Sequence, residues 1–162
     1  VKSADGEADL EKDQAAAKDY QWRGRVRHRG GMRATVYCRN QQFDVGQPAS
    51  FEERDEHPSA VELVLGALGG ALANGFAVEC SRAGLDVDDI ELTVRGTLGD
   101  PMAQLGLSDG DPGFDVIEVK VFASTFDDEA AVRQAWTTAV ERSPLTATLN
   151  RACELSLKLA IV

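Results

Sequence analysis

This 162-residue chain predicts an α+β domain, with a largely antiparallel sheet packed on one long central helix. Three observations carry that expectation. The stretch from Pro58 to Gly84 is almost wholly apolar or small and sits between helix start and stop signals. Segments on either side of it alternate apolar and polar residues with the period of a strand. Turn-forming glycines link those strands, and the other helices cluster toward the C-terminus, giving the order βββ-α-ββ-αα-β.

The central helix is specified at both ends. Ser59 can cap the first turn, Glu62 three residues on completes a capping-box pattern, and Gly84 supplies the left-handed stop. Between them Leu63, Leu65, Leu68, Leu72, Phe76 and Val78 leave no polar face, so the helix is expected to be buried on all sides. It would run about 37 Å at 1.5 Å per residue. Glu62, Asn74, Glu79 and Arg82 keep its apolar run short of the roughly 18 residues of a membrane span. Gly66, Gly69, Gly70 and Ala71 form a smooth patch halfway along, where a second backbone can approach closely.

The remaining elements follow in order. Residues 1–19 hold little large apolar surface beyond Leu10, and are expected to be a flexible acidic arm outside a single domain of residues 20–162. Tyr20 to Arg29 reads as a strand, with Tyr20, Trp22, Val26 and His28 on one face and Arg23, Arg25, Arg27 and Arg29 on the other. Gly30-Gly31 turns the chain into a second strand whose apolar face is Met32, Ala34, Val36 and Cys38. A short third strand, Gln42 to Gly46, leads into the polar loop Gln47–His57. Beyond the long helix come strands over Asp88–Gly99 and Gly113–Thr125, joined by a Gly/Asp/Pro-rich connector with room for one helical turn. Asp127-Asp128-Glu129 places negative charge at the start of a helix ending near Arg142. Ser143-Pro144 then reads as N-cap and first residue of a short helix to Ala152, and Cys153–Val162 closes the chain as a strand.

Composition narrows the function. A hydrophobic content of 43% supports a proper core, and a net charge of -10 argues against nucleic acid. Three cysteines at unrelated spacings fit a reducing compartment, and residues 1–19 carry no apolar segment of a signal peptide, so a cytoplasmic location is expected. No phosphate-loop or dinucleotide motif is present, and no cofactor is implied. The run Glu52 to His57 has ligand-type side chains but no supporting His or Cys pair, and reads as a solvated loop rather than a metal site.

Two segments together resemble the OsmC/Ohr superfamily of osmotically inducible and organic hydroperoxide resistance proteins. PSAVELVLGALGGALA is similar to the start of that family's central helix, and RSPLTATLNRACELSLKLAIV to its C-terminal end, where a Cys-Pro dipeptide opens a short helix before the last strand. The resemblance covers Tyr20 to Val162. It implies an intertwined homodimer in which sheets from two chains enclose paired central helices, with sites at the interface. It also implies oxidative-stress chemistry: thiol peroxidases in which one cysteine on the central helix attacks a hydroperoxide and the Cys-Pro cysteine resolves the sulfenic acid. Carried over, the attacking position falls on Ala71 and the resolving position on Ser143, and neither is a thiol. Glu62 matches the family's acidic residue in the first helical turn, and Arg33 and Arg39 are candidates for its activating arginine.

The chemistry makes that departure decisive for the expected function. Peroxide reduction needs a thiolate, and serine forms neither a sulfenic acid nor a disulfide. The chain is therefore expected to have no catalytic residue of the family kind, and to hold a small apolar or anionic ligand in a pocket drawn from Glu62, Ala71, Ser143, Arg33 and Arg39. The alternative is a hydroperoxide reductase that uses Cys38, Cys80 or Cys153. Cys80 lies nine residues past Ala71, on the opposite side of the helix, and Cys38 and Cys153 fall on apolar strand faces. Ser143 as a hydrolytic nucleophile would need His28 or His57 as its base, and its place before Pro144 is that of a helix cap. A homodimer is the expected assembly, with no nucleic acid or membrane partner.

Overall fold

The structure is a computed structural model that describes residues 21–47 and 56–162. The arm over 1–19, Tyr20 and most of the loop before the central helix lie outside the described residues. Two compact units make up the chain, one ending at Ser59 and the other running from Ala60 to Val162.

The first unit is an antiparallel meander of β1 (Arg25–Gly30), β2 (Arg33–Cys38) and β3 (Gln41–Val45), in that order across the sheet. Gly30 and Gly31 turn the first hairpin with positive φ, and Arg39, at φ 56°, turns the second. The ladder starts at Arg25, opposite Tyr37, later than the expected Tyr20, because β2 ends one residue after Tyr37 and offers residues 21–24 little to pair with. Register places Val26, Val36 and Phe43 side by side on one face, as the alternation predicts. Trp22 is 86% exposed, and the most sheltered strand residue of this unit is Thr35 on the opposite face. There Arg29 donates to the Thr35 hydroxyl, which donates to Asp44, while Arg25 stacks over the Tyr37 ring. Among the described residues of this unit no second layer covers the apolar face, and Val26 and Phe43 are exposed.

The second unit begins with α1 (Ala60–Ala83), followed by β4 (Asp89–Leu98), the single turn α2 (Pro101–Gln104), β5 (Phe114–Ser124), α3 (Glu129–Arg142), α4 (Pro144–Leu149) and β6 (Glu154–Ile161). Its sheet runs β4-β5-β6. The first pair is antiparallel and the second parallel, since α3 and α4 form the long crossover that parallel neighbours require. Local signals set the boundaries. Gly84, at φ 71°, ends α1; the Asp100 carboxylate accepts from the Met102 and Ala103 amides to start α2; Asp128 accepts from Ala131 to start α3. The short helix α4 stops at Leu149, three residues before the expected end, in a final turn closed by the Asn150 and Ala152 amides.

The core lies between this sheet and α1 with α3. Ile117, Val119, Val121 and Ala123 of β5 are fully buried, as the alternation predicts. They meet Leu68, Leu72 and Phe76 of α1 and Val132, Ala135, Trp136 and Ala139 of α3, with Phe76 and Trp136 edge-to-face at 5.4 Å. Each such Leu or Phe contributes about 1.5–3 kcal/mol by leaving water. The expectation that α1 is buried on all sides needs correction for the chain by itself. Only the stripe Leu68, Gly69, Leu72, Phe76 and Cys80 is buried, and Val78 is 47% exposed. One sheet and one helix cover two sides of a cylinder, so the third side of α1 remains open within the unit. α1 is long and apolar enough to cross a membrane, but its buried stripe is that of a core helix.

Candidate functional site

Ala71 and Ser143, far apart in sequence, line one cavity of about 250 Å³ between α1 and the corner where α3 passes into α4. Helix periodicity puts Ala71, Asn74, Gly75 and Val78 on the α1 wall, and Ala139 and Pro144 face them. Small residues meet here: a Cβ built on Gly75 would stand 3.9 Å from the Ala139 Cβ, in ordinary contact.

Ser143 is a structural hinge in this wall and is only 6% exposed. Its N–H donates to the Val140 carbonyl and closes α3, while its Oγ accepts from the Thr146 amide at 3.2 Å and opens α4. That is the N-cap role its position before Pro144 predicts. The unit holds no histidine, since His28 and His57 both precede Ala60, so the Ser143 hydroxyl has no imidazole base within it.

At the rim of the same cavity stands an ion pair that the sequence reading did not single out. Arg142 donates from Nη1 to both carboxylate oxygens of Glu79 at 2.9 and 3.0 Å, and Arg82 donates to the same carboxylate at 2.7 Å. Burial pushes the Glu79 carboxyl up, but the hydrogen bond and charge of Arg142, joined by Arg82, outweigh this and hold it below the usual range. The spacing of Glu79 and Arg82, three apart on a helix, was a usable signal. The meeting of Glu79 with Arg142 is a product of tertiary packing alone.

Glu62 is not part of this cavity. It lines a larger one of about 460 Å³ on the other flank of α1, with Leu65, Gly66 and Gly70 against Ile90, Leu92 and Val94 of β4. Nine residues separate Glu62 from Ala71, a rotation of about 180° at 100° per residue, so one pocket cannot take both from the same helix. Arg33 opens β2 and Arg39 occupies the β2–β3 turn, both in the first unit.

The three thiols stand elsewhere. Cys80 is buried in the core stripe, where burial and then the charge of Asp127 push its thiol up. Cys153 donates to the Leu149 carbonyl, and burial raises it too. Cys38 is half-buried on β2 of the first unit. None of them lines the cavity of Ala71 and Ser143. Among the described residues no group of three His, Cys, Asp or Glu side chains is placed to hold a metal ion.

Comparison with known proteins bears on this arrangement. The family model described as OsmC-like protein matches residues 53–158, well over half of the chain. Comparison with curated proteins gives no match. Among solved structures, an OsmC-like protein from Mycoplasma pneumoniae superposes with a TM-score of 0.76 at 12% identity, covering 89% of this chain and 99% of its own. The organic hydroperoxide resistance protein OhrB of Bacillus subtilis gives 0.58 at 16% identity, over 87% and 98%. A further organic hydroperoxide resistance protein, from Elizabethkingia anophelis, gives 0.67 at 15% identity, over 88% and 97%. At these identities the likeness is one of fold.

Proposed function

The chain belongs to the OsmC-like family, and from that premise we propose that it is a homodimer that keeps a cavity for a small ligand where thiol peroxidases of this fold carry out peroxide reduction. The observation that carries this reading is that Ala71 and Ser143 line one cavity; the resemblance matches these two positions to a reactive and a resolving cysteine. A methyl group has no nucleophile, and the Ser143 oxygen is engaged as a helix cap. The buried thiols of Cys80 and Cys153, pushed toward their protonated forms, are poor substitutes.

The open side of α1 supports the dimer. Among the described residues a Cβ on Gly66 or Gly70 would meet nothing within 4 Å, so these two glycines lower helix propensity by about 1 kcal/mol each with no packing reason from those residues. A second helix drawn close to them would supply that reason. The three unpaired cysteines fit a reducing, cytoplasmic setting.

The test is peroxide consumption by the purified protein with cumene, tert-butyl and hydrogen peroxides and a dithiol reductant. The expected result is no turnover above buffer. Robust turnover that disappears in Cys38→Ser, Cys80→Ser or Cys153→Ser would overturn this reading and establish a peroxidase working through another cysteine.

A further inference from the structure

The rim of the Ala71–Ser143 cavity carries a charge opposite to that of the protein. The chain is strongly acidic, at -10, yet two guanidiniums here converge on a single carboxylate, leaving the Glu79–Arg82–Arg142 group with one excess positive charge. Glu79 is only 11% exposed in its side chain, whereas that of Arg142 is 61% exposed. Among the described residues the contacts of both arginines engage Nη1 alone, so each guanidinium keeps further N–H donors directed elsewhere. For Arg142, which adjoins Ser143 and lines the cavity, the remaining Nε and Nη2 form the two-pronged edge that matches a carboxylate. Behind it the walls are apolar and small, from Ala71, Gly75, Val78 and Ala139. The volume of about 250 Å³ lies below that of pockets for drug-sized molecules, about 300–1,000 Å³.

We propose that this cavity recognises a small amphiphilic carboxylic acid, with Arg142 holding the carboxylate at the rim and the apolar walls taking a short alkyl tail. The proposal rests on the cavity being a ligand site and names the class of ligand. A single excess charge suits a monoanion, and a paired N–H edge suits a planar carboxylate better than a neutral peroxide or alcohol. Glu79 stays ionised across neutral pH and competes for the same guanidinium, so the acid shares Arg142 rather than displacing Glu79. Two variants on one ion pair therefore act in opposite directions: Arg142→Gln removes the clamp, and Glu79→Gln removes its competitor.

The experiment titrates the full chain with sodium hexanoate and, separately, with neutral hexanamide, following the backbone amides of Ala71, Gly75 and Ser143 by two-dimensional NMR. Circular dichroism melts verify that each variant is folded. Hexanoate is expected to shift these amides and to bind about tenfold more tightly than hexanamide, as a hydrogen bond to a charged group allows. Added salt should weaken the acid alone, Arg142→Gln should abolish the preference, and Glu79→Gln should tighten hexanoate binding. Equal binding of acid and amide would overturn the clamp while leaving the ligand site standing. Weaker hexanoate binding in Glu79→Gln would overturn it too, by marking the ion pair as a structural brace, and this arm holds even if Arg142→Gln fails to fold. If neither probe moves the cavity amides, the ligand-site reading itself falls.

Discussion

The two flanks of α1 share one helix and a similar run of small residues, yet they are closed in different ways. Toward α3 and α4, the chain closes its own cavity: Gly75 lies against Ala139, Ser143 caps the next helix, and Arg142 reaches back to Glu79. Toward β4, Gly69 is tight, with a Cβ there only 3.1 Å from Val94 Cγ2, but Gly66 and Gly70 face open space beside Glu62. Small residues on a helix thus do separate jobs according to azimuth. On one flank they admit the chain's own elements, and on the other they leave room that the described residues of the second unit do not fill.

The stripe between the flanks is the place to break both at once. Phe76→Ala, which removes the fully buried ring packed on Trp136, is expected to cost about 3–5 kcal/mol in urea unfolding. Gly70→Leu sharpens the contrast. It leaves the cavity of Ala71 and Ser143 intact, but should weaken the proposed homodimer by about 1–3 kcal/mol through overpacking at the open flank, read by sedimentation equilibrium. An unchanged dimer would place the subunit contact elsewhere. On the closed flank, Ser143→Ala should cost about 0.5–2 kcal/mol by removing the α4 cap, with no change in assembly.

The smallest effect is one of pH. The Glu79 carboxyl is held below its ordinary 4.5 in the folded chain, so on acidification the unfolded chain takes up the proton first. Its contribution is therefore complete above the unfolded value and is lost as pH falls through the lower, folded one. The difference in urea midpoint between the native chain and Glu79→Gln should be constant near neutrality and shrink below about pH 4.5. A gap that stays constant into acid would show that the ion pair does not persist in solution.

Local chemistry made most of the fold legible. Gly84, Asp128 and Ser143 end or begin helices where their side chains or φ demand it, and the alternation in β5 separates its buried face from its exposed one. Ala71 and Ser143, the two positions the resemblance pairs, line one cavity. Elsewhere the reading stopped at what one segment can encode. Uniform apolarity in α1 states that every side needs cover, but not whether the same chain supplies it, and here a single stripe is covered. Glu62 was grouped with Ala71 although a nine-residue spacing puts them on opposite flanks, the same argument that separates Cys80 from Ala71. Arg142 was invisible as a site residue because its partner Glu79 lies 63 residues away.

The central claim is that the cavity of Ala71 and Ser143 preserves the geometry of a peroxide-reducing site without its thiols. It is tested most directly by restoring both thiols. The double variant Ala71→Cys with Ser143→Cys is treated with a stoichiometric organic hydroperoxide, and its disulfides are mapped by non-reducing peptide mass. A bridge between the two introduced cysteines is expected, absent from either single variant, since a disulfide forms only where the Cα atoms stand about 4.4–6.8 Å apart or can move there. Oxidation that leaves positions 71 and 143 unlinked would contradict the account, because the two sites would then share a cavity without the geometry of an attacking and a resolving thiol.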